Sequence, residues 1–132
     1  IEAVAYKDGI EVARAVRETA GPAAGLRLPA DRNTIDADGY DLSFVTVEAV
    51  DAECRALPQA DAMLNFRVEG AGELLGIDNG DAADTLCMNG SVKPLFSGKA
   101  IAVIRSFRGE KGTATLKVSS ELGDAELDIK IR

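Results

Sequence analysis

The sequence predicts an all-β protein, an antiparallel β-sandwich built around one hydrophobic core. Apolar and polar residues alternate with a period of two over several short runs, as in strands that bury one face. Asp-Gly and Asn-Gly pairs separate these runs at the spacing typical of a sandwich. A hydrophobic share of 46% in 132 residues is enough for the core of one domain.

The first twenty residues predict a β-hairpin. Residues 4–6 and 12–13 form apolar runs on either side of Asp8-Gly9, a strong hairpin signal. The alternative is a single helix over residues 9–20, because Val12, Ala13 and Val16 have roughly helical spacing. The Asp-Gly turn favours the hairpin.

Gly21-Pro22 predicts the boundary between two parts of the chain. Pro cannot donate a ladder hydrogen bond and Gly relaxes the backbone, so a strand is expected to end there. Residues 1–20 then form a terminal hairpin that is too small to be stable alone. Residues 21–132 form the sandwich.

The sandwich strands follow from alternation between turns at Asp38-Gly39, Asn79-Gly80, residues 109–112 and Gly123-Asp124. Residues 100–104 are apolar at every position, which predicts a strand covered on both sides. Residues 113–118 repeat the alternation. The residues expected to face inward include Val45, Val47, Ala49, Leu64, Phe66, Leu127, Ile129 and Ile131.

Phe44 is expected to project outward, because its neighbours on the same strand face the core. It would then be an apolar anchor for a neighbouring domain. The alternative is that the edge of the sandwich covers it.

Charge and hydropathy argue against nucleic acid and membrane partners. The net charge is −7, with 22 acidic and 15 basic residues, and the basic residues are spread singly. No apolar run approaches the roughly 20 residues that span a bilayer. The first residues contain neither a targeting peptide nor an initiator Met. We therefore expect a segment of a longer protein.

No catalytic or cofactor-binding residue is predicted. The chain has no His, so a Ser-His-Asp or Cys-His arrangement cannot be built. Gly70-Ala71-Gly72 lacks the lysine that a phosphate-binding loop requires. Glu48 and Glu69 fall at outward strand positions, where a solvated charge is the ordinary explanation.

No metal site is predicted either. Residues 36–41 invite a calcium interpretation, but the closing position of an EF-hand loop is Val47 and not Glu. A tight turn is favoured at Asp38-Gly39, and again at residues 78–81, which alternatively touch a partner domain or a sugar.

Cys54 and Cys87 are expected to be unpaired, the alternative being an inter-sheet disulfide. With two Cys and no His, a structural zinc site is excluded. Only six aromatic residues are present, with no Trp, and Tyr6 and Tyr40 lie in different segments. Contact with carbohydrate therefore stays open but has no support.

Three stretches resemble the immunoglobulin-like domain near the C-terminus of bacterial β-galactosidases of glycoside hydrolase family 2. They are AGLRL at 24–28, DADGYDLSFVTVE at 36–48 and GIDNGD at 76–81. AVAYKDG at 3–9, VAR at 12–14 and TAG at 19–21 resemble the last two strands of the preceding domain. The resemblance is weaker over 51–63 and 82–98.

The resemblance implies an immunoglobulin-like fold and a non-catalytic accessory role. Such a domain would pack against other β-domains of its parent, stabilising the enzyme or shaping access to its active site. The parent would hydrolyse terminal β-galactosides with two glutamates on a barrel of about 250 residues, which is not found here. A periplasmic or secreted bacterial parent is the family-level expectation.

The alternative is an immunoglobulin-like spacer or binding module of a bacterial surface adhesin related to invasin and intimin. The segment at 38–42 and the strand after it occur in both settings. Residues 1–20 favour the galactosidase, because they do not resemble a second adhesin module.

Overall fold

The computed structural model describes residues 1–132 and contains eleven strands and no helix. The prediction of an all-β fold is confirmed, and the alternative of a helix over residues 9–20 is wrong. No helix is present that is long and apolar enough to cross a membrane. The strands are β1 Glu2–Lys7, β2 Ile10–Val16, β3 Gly25–Arg27, β4 Thr34–Ile35, β5 Leu42–Val50, β6 Met63–Gly70, β7 Gly72–Asp78, β8 Val92–Pro94, β9 Lys99–Ser106, β10 Gly112–Ser120 and β11 Gly123–Ile131.

The strands form a hairpin and two packed sheets. β1 and β2 pair only with each other. One sheet has five strands in the order β4-β11-β10-β6-β8, and the other has four in the order β3-β5-β9-β7. All pairings are antiparallel except that of the two-residue β4 with β11, which is parallel.

The core lies between the two sheets. Val45, Val47, Leu64 and Ile129 are fully buried and Phe66 is 3% exposed, which confirms the predicted register of their strands. Leu127, expected to be buried, is only half-buried and packs at the margin of the core. The reason is that β4 pairs only with Lys130 and Ile131, so β11 is the edge of the sheet at Leu127.

The outer faces of the two sheets differ in chemistry. On the five-stranded sheet, Lys117 lies 3.0 Å from Glu69 and near Glu126, and Thr115 donates to Asp128 at 2.7 Å. On the four-stranded sheet, Phe44 projects outward and is 41% exposed, as predicted.

Strand β9 crosses the middle of the four-stranded sheet. Its inward residues Ala100, Ala102 and Ile104 are buried, whereas Ile101 and Val103 on the outer face are half-buried. Within residues 1–132 no second layer packs on this outer side, so the prediction that the strand is covered on both sides is wrong within this chain.

Gly70-Ala71-Gly72 is the corner at which the chain passes from one sheet to the other. Gly70 has φ +95°, and a Cβ there would overlap the Thr113 carbonyl oxygen. A Cβ on Gly72 would lie 2.7 Å from the Arg105 carbonyl oxygen. These glycines are therefore explained by close backbone approach and not by phosphate binding.

Candidate functional site

The aspartates at residues 36–41 are used by the turn that they build. Asp38 Oδ1 accepts the backbone N–H groups of Tyr40 and Asp41, both at 2.8 Å. These bonds, that of Tyr40 first, lower the pKa of the Asp38 carboxyl. Asp41 Oδ2 accepts the Asp36 N–H at 2.9 Å, and Arg132 lies 2.9 Å from the Asp36 carboxylate. The carboxylates are thus directed at backbone and Arg groups and do not converge on a cation.

Residues 78–81 form a similar self-bonded turn at the end of β7. Asp78 Oδ1 accepts the Asn79 N–H at 2.8 Å, and Asn79 Oδ1 accepts the Asp81 N–H at 3.0 Å. The Asn79 amide also donates to the Pro94 carbonyl at 3.1 Å, which ties this turn to β8. No group of three His, Cys, Asp or Glu side chains is arranged to hold a metal ion.

A buried ion pair holds the long connection between β7 and β8. Lys93 is 1% exposed despite its charge, because it lies on the inward face of β8 opposite the buried Leu64. Its Nζ lies 2.9 Å from Asp84 Oδ2 and donates to the Leu86 carbonyl at 2.7 Å. Hydrogen bonds lower the pKa of the Asp84 carboxyl: the bond from the Leu86 N–H contributes most, followed by that from Lys93. Sequence reasoning missed this pair, because a lone Lys next to Pro94 gives no signal of an inward position.

Glu48 and Glu69 both lie on outer faces, but only Glu69 is solvated. Glu48 is buried beneath two cations, with Lys99 Nζ at 2.8 Å and the Arg27 guanidinium in contact. Burial raises the pKa of the Glu48 carboxyl, but hydrogen bonds from Lys99 and Arg27 outweigh it and the net shift is downward. The expectation of a solvated Glu48 is therefore wrong, since both long basic side chains lie over it.

Both cysteines are exposed and unpaired. Cys54 lies in a tight turn with φ +61°, in the connection that follows β5. Cys87 lies in the connection that precedes β8. Neither thiol reaches the space between the sheets.

The junction between hairpin and sandwich is built on Asp51, which is buried. Asp51 Oδ2 accepts the Gly21 N–H at 2.8 Å, and Oδ1 accepts the N–H groups of Glu53 and Arg55. The bond from Gly21 comes first among those that lower the pKa of the Asp51 carboxyl. Arg55 then reaches the hairpin through an ion pair of 2.7 Å with Glu18.

Beyond this junction both faces of the hairpin are exposed to solvent. One face carries Arg14 in contact with Glu2 and Glu11. The other carries two cross-strand alanine pairs, Ala3 with Ala15 and Ala5 with Ala13. Tyr6, Ile10, Val12 and Val16 are also exposed apolar residues. A two-stranded sheet with no packed face is at best marginally stable by itself.

A cleft of about 550 Å³ opens on the side of the sandwich, beside the glycine corner. We call it the side cleft. It lies between the edges of β6 and β7, and the turn at residues 89–91 forms its lip. Its lining combines Phe66, Val68, Leu74 and Phe107 with Arg67, Glu73 and Asn89.

Taken together, fold and surface define an immunoglobulin-like β-sandwich that is joined through a buried aspartate to an unpacked hairpin. The model of the glycoside hydrolase family 2 C-terminal domain 5 matches residues 26–127. The chain belongs to this family.

Relatives share both parts of the chain. A β-galactosidase of Bacteroides ovatus, BoGH2A, is 38% identical over 121 residues, which are 92% of this chain and 14% of that enzyme. A solved glycosyl hydrolase family 2 member from Bacteroides cellulosilyticus superposes with a TM-score of 0.92 at 30% identity. The superposition covers 99% of this chain and 17% of that one. This chain therefore spans only a small part of these relatives.

The adhesin alternative is matched at the level of fold. The adhesin InvE of Yersinia pseudotuberculosis superposes with a TM-score of 0.54 and 22% identity, over 80% of this chain and 26% of that one. Such a likeness shows a common sandwich architecture alone.

Proposed function

We propose that this chain is a non-catalytic accessory domain of a bacterial family 2 β-galactosidase. The parent hydrolyses terminal β-galactosides elsewhere in its chain. The sandwich, residues 21–132, packs against other β-domains, and residues 1–20 are the terminal hairpin of the domain before it. The accessory role is to stabilise the enzyme or to shape access to its active site.

The observation that carries the proposal is the bare hairpin. Its residues are almost all exposed, yet Asp51 and Arg55 fix its base to the sandwich. A family 2 structure superposes over 99% of this chain, hairpin included. A hairpin held in this way is explained if a further β-domain covers its alanine face, since three or more strands or a packed face are needed for stability.

The chemistry of the chain supports the same assignment. A retaining glycosidase needs two carboxylates about 5–5.5 Å apart across a sugar pocket. Here the carboxylates with altered pKa values are held by backbone N–H groups or by Lys and Arg side chains. These five carboxylates act as structural acceptors, which supports a non-catalytic role for the chain.

The experiment introduces a charge on the alanine face of the hairpin, in the isolated chain and in the parent enzyme. Ala13→Glu should leave the melting temperature of the isolated chain unchanged, because Ala13 is exposed there. In the parent it should lower the melting temperature by several degrees, because an unpaired charge would be buried at the domain interface. Ala82→Glu, an exposed alanine of the sandwich, is the matched control.

Two results would overturn the proposal. One is a parent enzyme that tolerates Ala13→Glu as well as Ala82→Glu. The other is hydrolysis of nitrophenyl β-galactoside by the isolated chain above background, abolished by replacing one of its carboxylates.

A further inference from the structure

The β6 side of the side cleft exposes unpaired backbone groups. The Ala62 carbonyl accepts the Leu95 N–H, Leu64 pairs with Lys93, and the Phe66 N–H donates to the Ser91 carbonyl at 2.8 Å. Every second residue of β6 therefore bonds towards β8. The next residue in this series is Val68. The segment before β8 no longer runs beside β6 at this point, because it turns away where the Gly90 N–H donates to the Cys87 carbonyl. The N–H and C=O of Val68 thus point into the cleft without a partner strand.

The β7 side of the cleft is open in the same way. The Ser106 N–H donates to the Asp41 carbonyl, on the side of β9 that faces β5. Ser106 therefore makes no backbone hydrogen bonds to Gly72, the residue opposite it on β7. Two residues on, Leu74 faces Ile104 in the same orientation, and its backbone groups point away from β9. The Ile77 N–H reaches Met88 in the β7–β8 connection, but this contact lies beyond the bulge at Leu75. Both sheets therefore present an open strand edge to one cleft.

The side chains around these edges suit an extended peptide. Val68, Leu74 and Phe107 are only partly buried and offer apolar contacts in the cleft. Arg67 and Glu73 lie at its margins, where the Glu73 carboxylate pairs with Arg105. An added strand would place alternate apolar side chains in the cleft. Its backbone would pair with the free N–H and C=O groups of Val68 or Leu74.

We propose that the side cleft receives an extended segment of the parent polypeptide from outside residues 1–132, paired as an added β-strand. The inference rests on the proposed function. The parent is the favoured source because this chain covers only 14% of BoGH2A and 17% of the solved family 2 structure. The hairpin already shows that sheet elements of this chain lack partners within it. An open edge left in water is also a site of unwanted pairing, which an added strand of the same protein removes.

Amide hydrogen exchange tests the proposal without any substitution. In the isolated chain the amides of Val68 and Leu74 should exchange rapidly, whereas those of Arg67 and Glu69, which face β10, should be slow. In the parent enzyme the Val68 or Leu74 amide should slow by about 100-fold or more, while the β10-facing controls stay slow. The same experiment reports on the hairpin through the amides of β1 and β2.

The outcomes separate this inference from the accessory role. Hairpin amides that become protected in the parent, with unchanged exchange at Val68 and Leu74, would retain the accessory role and overturn the added strand. Protection at Val68 that disappears when a dimeric parent is diluted to monomers would identify a second copy as the occupant and also overturn the proposal. Protection in the monomeric parent supports it.

Discussion

At the scale of single residues, side chains next to each other in sequence have opposite roles. On β6, Phe66 lies in the core while Arg67, one position on, is exposed and pairs with Glu69 at 3.0 Å. The period of two in a strand produces this contrast, so the face of every residue depends on one register. Comparison of such neighbours tests that register directly.

Truncation of Phe66 should be far more costly than truncation of its neighbour. Phe66→Ala removes a buried ring and leaves a cavity, which should lower the free energy of unfolding by roughly 3–5 kcal/mol. Leu127→Ala should cost less than Phe66→Ala, because Leu127 is half-buried. Arg67→Ala and Asp128→Ala should stay within about 0.5 kcal/mol. Urea titrations of the four variants measure the differences. If Arg67 were as sensitive as Phe66, the register of β6 would be wrong by one residue.

Lys93 provides a second prediction at this scale. Lys93→Ala leaves Asp84 enclosed without its cation and should destabilise the chain by about 3–5 kcal/mol. Lys99→Ala is the matched control: this lysine is half-exposed, and Glu48 retains Arg27. Its loss should cost about 1 kcal/mol or less. Equal urea midpoints for the two variants would show that the Lys93–Asp84 pair does not stabilise the fold.

At the scale of elements, the strands with clean alternation were predictable and the others were not. Strands β10 and β11 follow from alternation alone. Strand β7 contains two glycines and a bulge at Leu75, so its alternation is broken. Strand β8 contains a buried Lys and a Pro, both of which argue against a sheet when read from sequence. The side cleft depends on where β8 leaves β6, a tertiary feature without a sequence signal.

The glycine corner between β6 and β7 gives a prediction for an element. Gly70→Ala combines a positive φ with overlap of the new Cβ and the Thr113 carbonyl, and should destabilise by at least about 3 kcal/mol. Gly109→Ala shares the positive φ, at +78°, but a Cβ there meets no atom within 4 Å. It should cost about 1–2 kcal/mol, the ordinary penalty of the left-handed region. Thermal melting of both variants separates close approach from backbone conformation. Equal losses of stability in the two variants would show that close approach to the Thr113 carbonyl does not explain Gly70.

At the scale of the whole molecule, the electrostatics are set by carboxylates. The chain has 22 acidic residues and no His. Five carboxyls have lowered pKa values and lie at different places: the turn at Asp38, the two faces at Glu48 and Glu69, the junction at Asp51 and the connection at Asp84. Protonation of these groups therefore weakens both sheets, the loops and the hairpin junction together.

The stability of the isolated chain should consequently be flat near neutrality and fall in acid. A carboxyl whose pKa is lower in the folded state contributes stability that is complete above its unfolded pKa, about 3.9 for Asp and 4.3 for Glu. This contribution is lost as the pH falls through the folded pKa. At the alkaline side, Glu69 raises the pKa of Lys117, so that contribution persists up to the ordinary lysine range. Urea midpoints should agree between pH 6 and 8 and decrease steadily below about pH 4.5. A marked loss between pH 7 and 6 would contradict this account, because a chain without His has no side chain with an ordinary pKa in that interval.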